Sequence, residues 1–413
     1  MRAPTVGVYV HVPFCERICP YCDFAVVRAG RRLDPALEER TVRGLLAELA
    51  LRRADFDGLA LDTIYFGGGT PSLLEPGSVA RLVEAACEAF AAPTRDALEV
   101  TLEVNPSTVE RARLPGFREA GVSRLSIGVQ SFDDEVLHRL GRAHRAGEAR
   151  ATLDAARAAG FDNVSLDLIF AAPGQRLAGL ERDLEQALAF GPRHVSAYGL
   201  TIEPGTPFAR AAARGQLALP DEDEAVAMIE RIEACLGEAG LDRYEISSFA
   251  IPGFESRHNR RYWERTPVLG LGVGAVSCDP GSSRAPHGAR RTNLRALPAW
   301  LERVEAGRTA EAEPPEVLDA ATARGEAMFL GLRTRAGVDA RGFAQEFGAP
   351  PRSFFGGEIE RLVDAGLLDE APAGELRLTR RGRLLSDSVF ERFVGGGESP
   401  REPREIDGQG ARW

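Results

Sequence analysis

The chain has 413 residues, enough for more than one domain, and its formal net charge of −10 argues against an overall basic surface for nucleic acid. All 51 basic residues are arginine, which excludes a lysine-containing phosphate loop and a lysine Schiff base. The sequence has no secretory signal pattern and no apolar run long enough to cross a bilayer, so we expect a soluble cytoplasmic protein.

Short apolar runs alternate with amphipathic segments as far as about residue 240. This alternation of strands and helices predicts an α/β fold with a parallel sheet. The predicted strands are residues 6–11, 63–66, 98–103, 124–129, 164–170 and 194–200. The predicted helices are residues 36–53, 79–90, 149–159, 180–190 and 222–239.

Three of the six cysteines lie within eight residues, directly after the first predicted strand. Cys15, Cys19 and Cys22 have the spacing C-x3-C-x2-C, which lets one loop place three thiolates around an iron–sulfur cluster or zinc. On a 4Fe–4S cluster, three cysteines would leave one iron open to a small molecule. The alternatives are a zinc site completed by His11 and a disulfide with one spare thiol.

Polar residues follow several predicted strands, where the active sites of parallel barrels lie. After the second strand, the turn 67–71 (GGGTP) lets backbone groups approach a ligand, although a tight turn alone would also explain it. The third strand places Thr101, Glu103 and Asn105 on one face, which suits a zwitterionic ligand or a solvated edge. The fifth carries Asp167, a carboxylate that needs a ligand or an arginine as partner.

The pattern changes beyond residue 240. Residues 241–313 include the element His258-Asn259-x-x-Tyr262-Trp263. Residues 314–394 show helical patterns, the last of them at residues 382–393, and a short strand pair that includes residues 376–379. These patterns predict a mostly helical, winged-helix-like domain. Residues 395–413 are rich in glycine, proline and charge, and we predict a disordered tail.

The cysteine loop, HVPFCERICPYCDF, resembles the signature of the radical S-adenosylmethionine (SAM) superfamily, in its coproporphyrinogen-oxidase-like branch. This resemblance extends from about residue 6 to residue 393. It implies that residues 1–240 form a partial six-stranded parallel (β/α)6 barrel that binds a 4Fe–4S cluster through Cys15, Cys19 and Cys22, with SAM on the open iron. It also implies SAM contacts by Tyr9, Gly68, Gly69, Thr70, Glu103, Gln130, Arg142 and Asp167.

Two groups in this branch differ in function. Oxygen-independent coproporphyrinogen III oxidases decarboxylate two propionates by radical chemistry, whereas HemW-type chaperones bind haem and pass it to acceptor haemoproteins. The oxidases resemble this chain but extend the motif to C-x3-C-x2-C-x-C, where this chain has Phe24, and they carry an N-terminal arm before the first strand. We therefore predict a haem chaperone, with the oxidase as one alternative and a zinc-stabilised interaction protein as another.

The chaperone resemblance implies haem as cargo and acceptor haemoproteins as partners. We interpret His258 as an exposed loop histidine that holds haem iron while Tyr262 and Trp263 cover the porphyrin, the alternative being a hydrogen-bonded histidine that anchors a loop. We expect no nucleic-acid partner and no transmembrane segment. A homodimer and peripheral membrane contact through the acceptors are compatible with this interpretation.

Overall fold

The computed structural model describes residues 4–92, 94 and 97–394, and the predicted disordered tail lies outside these residues. The strands are β1 (Thr5–Val12), β2 (Phe14–Cys15), β3 (Val27–Arg28), β4 (Ala60–Gly68), β5 (Glu99–Val104), β6 (Arg124–Gln130), β7 (Asn163–Phe170), β8 (His194–Gly199), β9 (Asp242–Arg243), β10 (Ser248–Ala250), β11 (Val268–Leu271), β12 (Val276–Asp279), β13 (Ala289–Thr292), β14 (Glu316–Val317), β15 (Leu368–Glu370) and β16 (Leu376–Leu378).

The α-helices are α1 (Pro35–Arg52), α2 (Pro76–Ala89), α3 (Thr108–Glu119), α4 (Asp134–Arg139), α5 (Ala146–Ala158), α6 (Leu177–Ala189), α7 (Pro207–Ala212), α8 (Glu222–Glu238), α9 (Arg257–Trp263), α10 (Leu297–Glu305), α11 (Ala320–Arg333), α12 (Ala340–Phe347), α13 (Pro351–Asp364), α14 (Arg380–Leu384) and α15 (Ser386–Phe390). Two 3₁₀ turns lie at Arg53–Phe56 and Pro71–Leu73. Within the described residues, no helix has the length and apolar character needed to span a membrane.

The main sheet confirms the predicted parallel α/β fold. Its strand order over the described residues is β14-β13-β12-β11-β1-β4-β5-β6-β7-β8-β10-β9. The six predicted strands are consecutive parallel neighbours from β1 to β8. The sheet is wider than the predicted six strands, because β11 pairs in parallel with β1 and antiparallel strands extend both edges.

Alternation along each strand separates two faces of this sheet. On β1, Val6, Val8, Val10 and Val12 are buried in the large apolar core, which the helices cover. The residues between them belong to the opposite face, which we call the inner face. On the parallel strands it carries Tyr9, His11, Thr63, Tyr65, Glu99, Thr101, Glu103, Arg124, Ser126, Ser165, Asp167, His194 and Ser196.

The C-terminal region has a core of its own. Helices α11 to α15 and the β15–β16 hairpin bury a second apolar cluster that includes Met328, Phe343, Ile359 and Phe393. This confirms the prediction of a mostly helical C-terminal region with a short strand pair. The helix predicted for residues 382–393 is divided into α14 and α15. The main sheet continues to Val317, slightly beyond the predicted start of this region.

Candidate functional site

The cysteine loop leaves the C-terminal end of β1 and is anchored to the sheet by backbone hydrogen bonds. The short strand β2, which ends in Cys15, pairs with β3 and closes the base of the loop. The Gly69 N–H donates to the carbonyl of Val12 at 2.8 Å, and the Thr70 N–H donates to that of Phe14 at 2.7 Å. The glycine turn after β4 therefore supports the loop directly.

All three thiols of the loop are free, and two of them have polar donors beside the sulfur. Thr70 Oγ1 lies 3.8 Å from Cys15 Sγ, and Arg142 Nη1 lies 3.7 Å from Cys19 Sγ. Burial raises the pKa of Cys15 to about 11 and also raises the pKa of Cys22. A bound metal deprotonates such thiols, and donors to sulfur are among the features that tune iron–sulfur clusters. This surrounding fits a 4Fe–4S cluster.

His11 does not fit the alternative of a zinc site with three cysteines and one histidine. Its Nε2 lies 3.0 Å from the carbonyl of Ala25, to which it donates, and its Nδ1 lies 3.1 Å from the hydroxyl of Tyr9. Both ring nitrogens are therefore engaged. Among the residues that the structure describes, no three His, Cys, Asp or Glu side chains are arranged to hold a single metal ion.

Glu103 has a carboxylate in direct contact with the glycine turn. Its Oε1 accepts from the Tyr65 hydroxyl at 2.9 Å, and its Oε2 accepts from the Gly68 N–H at 3.2 Å. Gly68 has φ of 104°, a conformation that favours glycine. Burial raises the pKa of Glu103 to about 7. A ligand ammonium would find an acceptor here, whereas the N–H groups of Gly68, Gly69 and Thr70 are already used.

Arg142 connects the cysteine loop with the ends of β5 and β6. Its Nη2 donates to Asn105 Oδ1 at 2.5 Å and to the carbonyl of Gly128 at 3.2 Å, while its Nε is buried without a partner. Asn105 in turn donates to Thr70 Oγ1 at 2.8 Å. Gln130 ends β6 with φ of 64°, a strained conformation of the kind found at functional sites. The unpartnered Nε leaves the guanidinium able to take an anionic group.

Asp167 lies farther along the inner face and is hydrogen-bonded by serines. Ser126 donates to its Oδ2 at 2.8 Å, and Ser165 donates to its Oδ1 at 3.1 Å. The structure thus gives this acid hydroxyl partners rather than the ion pair considered above, and burial raises its pKa. Tyr9 is also on the inner face, with its ring stacked on that of Tyr65 at a centroid distance of 6.2 Å.

The prediction that His258 is an exposed loop residue is wrong. It lies on helix α9 and is only 1% exposed. Its Nδ1 lies 2.8 Å from Thr63 Oγ1, its Nε2 lies 3.2 Å from the Tyr262 hydroxyl, and burial lowers its pKa to about 3. The helix forms because Ser256 caps it and Glu99 accepts the His258 N–H at 3.0 Å. The geometry matches the alternative of a hydrogen-bonded, anchoring histidine.

The two aromatic residues of the same element have different surroundings. The Tyr262 hydroxyl is hydrogen-bonded to His258 next to the inner face of the sheet. Trp263 instead borders a cavity of about 730 Å³ between α9 and the C-terminal region. The Arg333 guanidinium lies 4.3 Å above the Trp263 ring, and Trp263 Nε1 is buried without a partner. His258 and Tyr262 do not line this cavity, although the rings of Tyr262 and Trp263 meet edge to face with centroids 6.4 Å apart.

Sequence reasoning assigned no role to Arg124 or His194, although both contribute to the polar inner face. Strand periodicity gives the signal, because His194 shares its face with Ser196 and Arg124 shares its face with Ser126. Periodicity within one strand does not predict which residues pair across strands, such as Ser165 of β7 with His194 of β8.

A parallel sheet with a three-cysteine loop after its first strand, and with polar groups at its strand ends, defines a radical SAM protein. Residues 9–187 match the profile of the radical SAM superfamily, and residues 318–385 match that of the HemN C-terminal domain. The superfamily implies a 4Fe–4S cluster and SAM as cofactors. The fold is that of coproporphyrinogen III oxidase (HemN) from Escherichia coli, with a TM-score of 0.78, 23% identity, and coverage of 95% of this chain and 91% of that one.

Sequence comparison identifies the family within this class. The haem chaperone HemW of Bacillus subtilis is 34% identical over 394 residues, which cover 94% of this chain and 99% of the relative. HemW of Mycobacterium tuberculosis H37Rv is 38% identical over 96% of each chain. The mitochondrial radical S-adenosyl methionine domain-containing protein 1 of Mus musculus is 35% identical, over 93% of this chain and 86% of the relative. The chain belongs to the HemW family.

Proposed function

We propose that this protein is a haem chaperone, which binds haem and passes it to acceptor haemoproteins in the cytoplasm. The observation that carries the proposal is the similarity to chaperones of that name over nearly the whole of both chains, at 34% and 38% identity. Phe24 adds support, because it stands where the oxidases have a fourth cysteine and is 61% exposed. A homodimer is compatible with this role.

The residues of the cysteine loop and the strand ends form the proposed cofactor site. Cys15, Cys19 and Cys22 would hold the 4Fe–4S cluster, which when bound supplies an electron for cleavage of SAM. Thr70 and Arg142 lie against the sulfurs of Cys15 and Cys19. Both would donate to the thiolates and so stabilise their charge.

The remaining polar groups would bind and orient SAM. Glu103 accepts the ammonium, and Arg142 pairs with the carboxylate through the guanidinium edge that has no protein partner at Nε. Asp167 accepts hydrogen bonds from donors of the ligand. The other contacts proposed for this site are Tyr9, Gly68, Gly69, Thr70 and Gln130.

The first experiment is a haem titration of the anaerobically reconstituted protein, followed in the Soret region. We expect saturation near one haem per chain. Binding no tighter than that of an unrelated control protein would contradict the chaperone proposal, and turnover of coproporphyrinogen III would then support the oxidase.

The cluster assignment has its own test. Cys19→Ser should lose the broad iron–sulfur absorption of the reconstituted protein, because it removes one of three thiolates. Full retention of iron and sulfide in this variant would contradict the assignment. Elemental analysis that found stoichiometric zinc and no sulfide would instead support a zinc-stabilised interaction protein.

A further inference from the structure

A continuous chain of hydrogen bonds connects Asp167 with the N-terminus of helix α9. Ser165 Oγ lies 3.1 Å from Asp167 Oδ1 and 2.8 Å from Nδ1 of His194. His194 Nε2 lies 2.8 Å from the hydroxyl of Tyr244. That hydroxyl accepts the backbone N–H of Ser256 at 3.3 Å. The acid proposed to contact SAM is thus joined, through four hydrogen bonds, to the helix that carries His258.

The sheet register and a helix cap build this chain. Ser165 and His194 are direct partners on β7 and β8, so their side chains meet on the inner face. Tyr244 follows β9 at the edge of the sheet and reaches back to His194. Ser256 is the N-cap residue of α9 and donates its own N–H to Tyr244 while its side chain caps the helix. Ser165, His194 and Ser256 are fully buried, so water does not compete for these bonds.

When Asp167 is ionised, the chemistry of the donors gives every bond in this series a direction. A carboxylate only accepts, so the single proton of Ser165 points at Asp167. Ser165 must therefore accept from His194, which places the imidazole proton on Nδ1. At the other end, the Ser256 N–H can only donate, so the Tyr244 proton is free to point at His194 Nε2. This series of hydrogen bonds requires one state of His194, the neutral ring with its proton on Nδ1.

The surroundings of His194 favour that neutral state. Burial lowers its pKa well below the usual value, and the nearby guanidinium of Arg124 acts in the same direction. A protonated ring would carry a second donor at Nε2, which would face the Tyr244 hydroxyl and require it to release its proton elsewhere. The neutral ring satisfies all four hydrogen bonds.

We propose that His194 is a positioning residue that acts through Ser165 on Asp167 and, through Tyr244, on the cap of helix α9. In this arrangement a ligand that donates to Asp167 competes with Ser165 for the carboxylate. The change in the Ser165 bond alters the polarisation of His194 and is transmitted to Ser256. The proposal rests on the proposed SAM contact of Asp167, and it extends that site to the helix of the His258-Asn259-x-x-Tyr262-Trp263 element.

The tautomer of His194 can be measured directly by nuclear magnetic resonance of the ¹⁵N-labelled, cluster-loaded protein. The chain has six histidines. We expect the His194 signal, assigned by its loss in His194→Asn, to show a protonated Nδ1 and a bare Nε2. His287→Asn is the control, because His287 lies outside the chain of bonds and its loss should leave that signal in place. A ring protonated on Nε2 would overturn the proposal.

Two substitutions separate positioning from packing. The side-chain amide of asparagine can replace the Nδ1 donor, whereas that of glutamine reaches only the Nε2 position. We expect calorimetry to show SAM binding within about threefold of wild type for His194→Asn and about tenfold weaker for His194→Gln, because only the latter loses the donor to Ser165. A role in packing alone would favour the larger glutamine.

The outcomes distinguish this proposal from the proposed function. SAM affinity that is equal in the two variants, or lower in His194→Asn, would overturn the positioning role. If the wild-type protein bound no SAM, the proposed cofactor site would fail. In that case, the nuclear magnetic resonance measurement of the His194 tautomer would still test whether the series of hydrogen bonds from Asp167 to Ser256 exists.

Discussion

Glu103 couples ligand binding at the proposed SAM site to pH. Its raised pKa of about 7 means that the carboxyl is largely protonated in the free protein below that pH. An ammonium group needs the ionised form, so binding below pH 7 must release a proton. We expect SAM affinity to rise between about pH 6 and pH 7, by at most about tenfold per pH unit. Calorimetry in buffers with different ionisation heats would measure both the affinity and the released proton.

Substitution of Glu103, with Glu48 as a matched control, tests whether the Glu103 carboxyl causes the pH dependence of SAM affinity. Glu103→Gln should bind SAM more weakly and with little change between pH 6 and pH 7. Glu48 is the control, because burial raises its pKa to about 7 as well, while it binds the Gly272 N–H and the Trp300 indole away from the site. Glu48→Gln should keep the wild-type slope. A wild-type affinity that is flat over this range would contradict the role of Glu103.

His258 should act on stability rather than on the haem spectrum. The substitution His258→Ala leaves Thr63 and Tyr262 without their partner and opens a cavity, so we expect a loss of about 2–4 kcal/mol in the free energy of unfolding. Denaturant titration measures this loss. The Soret band of the haem complex should stay in place, since both ring nitrogens are engaged inside the protein. A shifted Soret band would show that His258 leaves α9 and coordinates haem.

At the scale of elements, the sequence predicted what local patterns determine. Helix α1 and five of the six parallel strands were predicted to within about one residue of their ends, whereas β4 (Ala60–Gly68) extends beyond the predicted residues 63–66 at both ends. Helix α3 was missed because Pro115 interrupts its pattern. Helix α9 was missed because its start depends on Glu99, a residue about 160 positions away that accepts the His258 N–H. The antiparallel strands at the sheet edges were missed because short strands carry little periodicity.

The candidate site likewise has parts that local sequence patterns predict and parts that depend on distant contacts. The cysteine spacing and the glycine turn are local signals. Strand periodicity placed Glu103 on one face with Thr101 and Asn105, and Asp167 was identified as the single acid of an apolar strand. The contacts of Thr70 and Arg142 with the sulfurs of Cys15 and Cys19 join segments that are distant in sequence. A pattern within one element cannot predict such contacts, so only the structure could identify them.

The glycine turn gives a prediction about the cysteine loop. A Cβ at Gly69 would lie 2.7 Å from the carbonyl oxygen of Phe14 and 2.8 Å from that of Val12, both backbone atoms that cannot move aside. Gly69→Ala should therefore displace the loop from β4, lower stability by about 1–3 kcal/mol, and reduce the iron retained after reconstitution. Thermal unfolding and iron analysis measure the two effects.

Gly77 provides the control for this substitution. It lies in helix α2, and a Cβ there would meet no atom within 4 Å. Gly77→Ala should raise stability by up to about 1 kcal/mol, because alanine favours the helix, and should leave the iron content unchanged. Equal iron retention in the two variants would mean that the turn does not support the loop.

At the scale of the whole molecule, the main sheet and the C-terminal region have separate cores, and arginine side chains are among the contacts that join them. Arg333 of α11 lies over Trp263 at 4.3 Å, and its Nη2 lies 3.5 Å from Oε2 of Glu245. Glu245 is only 4% exposed, so its carboxylate depends on this partner. Arg333 therefore bridges the two cores through its contacts with Trp263 and Glu245.

Loss of this bridge should loosen the C-terminal region selectively. Arg333→Ala leaves Glu245 buried without its cation and uncovers Trp263, so we expect about 2–4 kcal/mol of destabilisation and faster amide exchange in residues 318–394. Arg352→Ala removes an exposed ion pair with Glu370 inside the same region and should cost within about 1 kcal/mol. Hydrogen exchange with mass spectrometry separates the two cases. Similar exchange in both variants would mean that other contacts hold the C-terminal region on the sheet, and that Arg333 only shields the Trp263 ring.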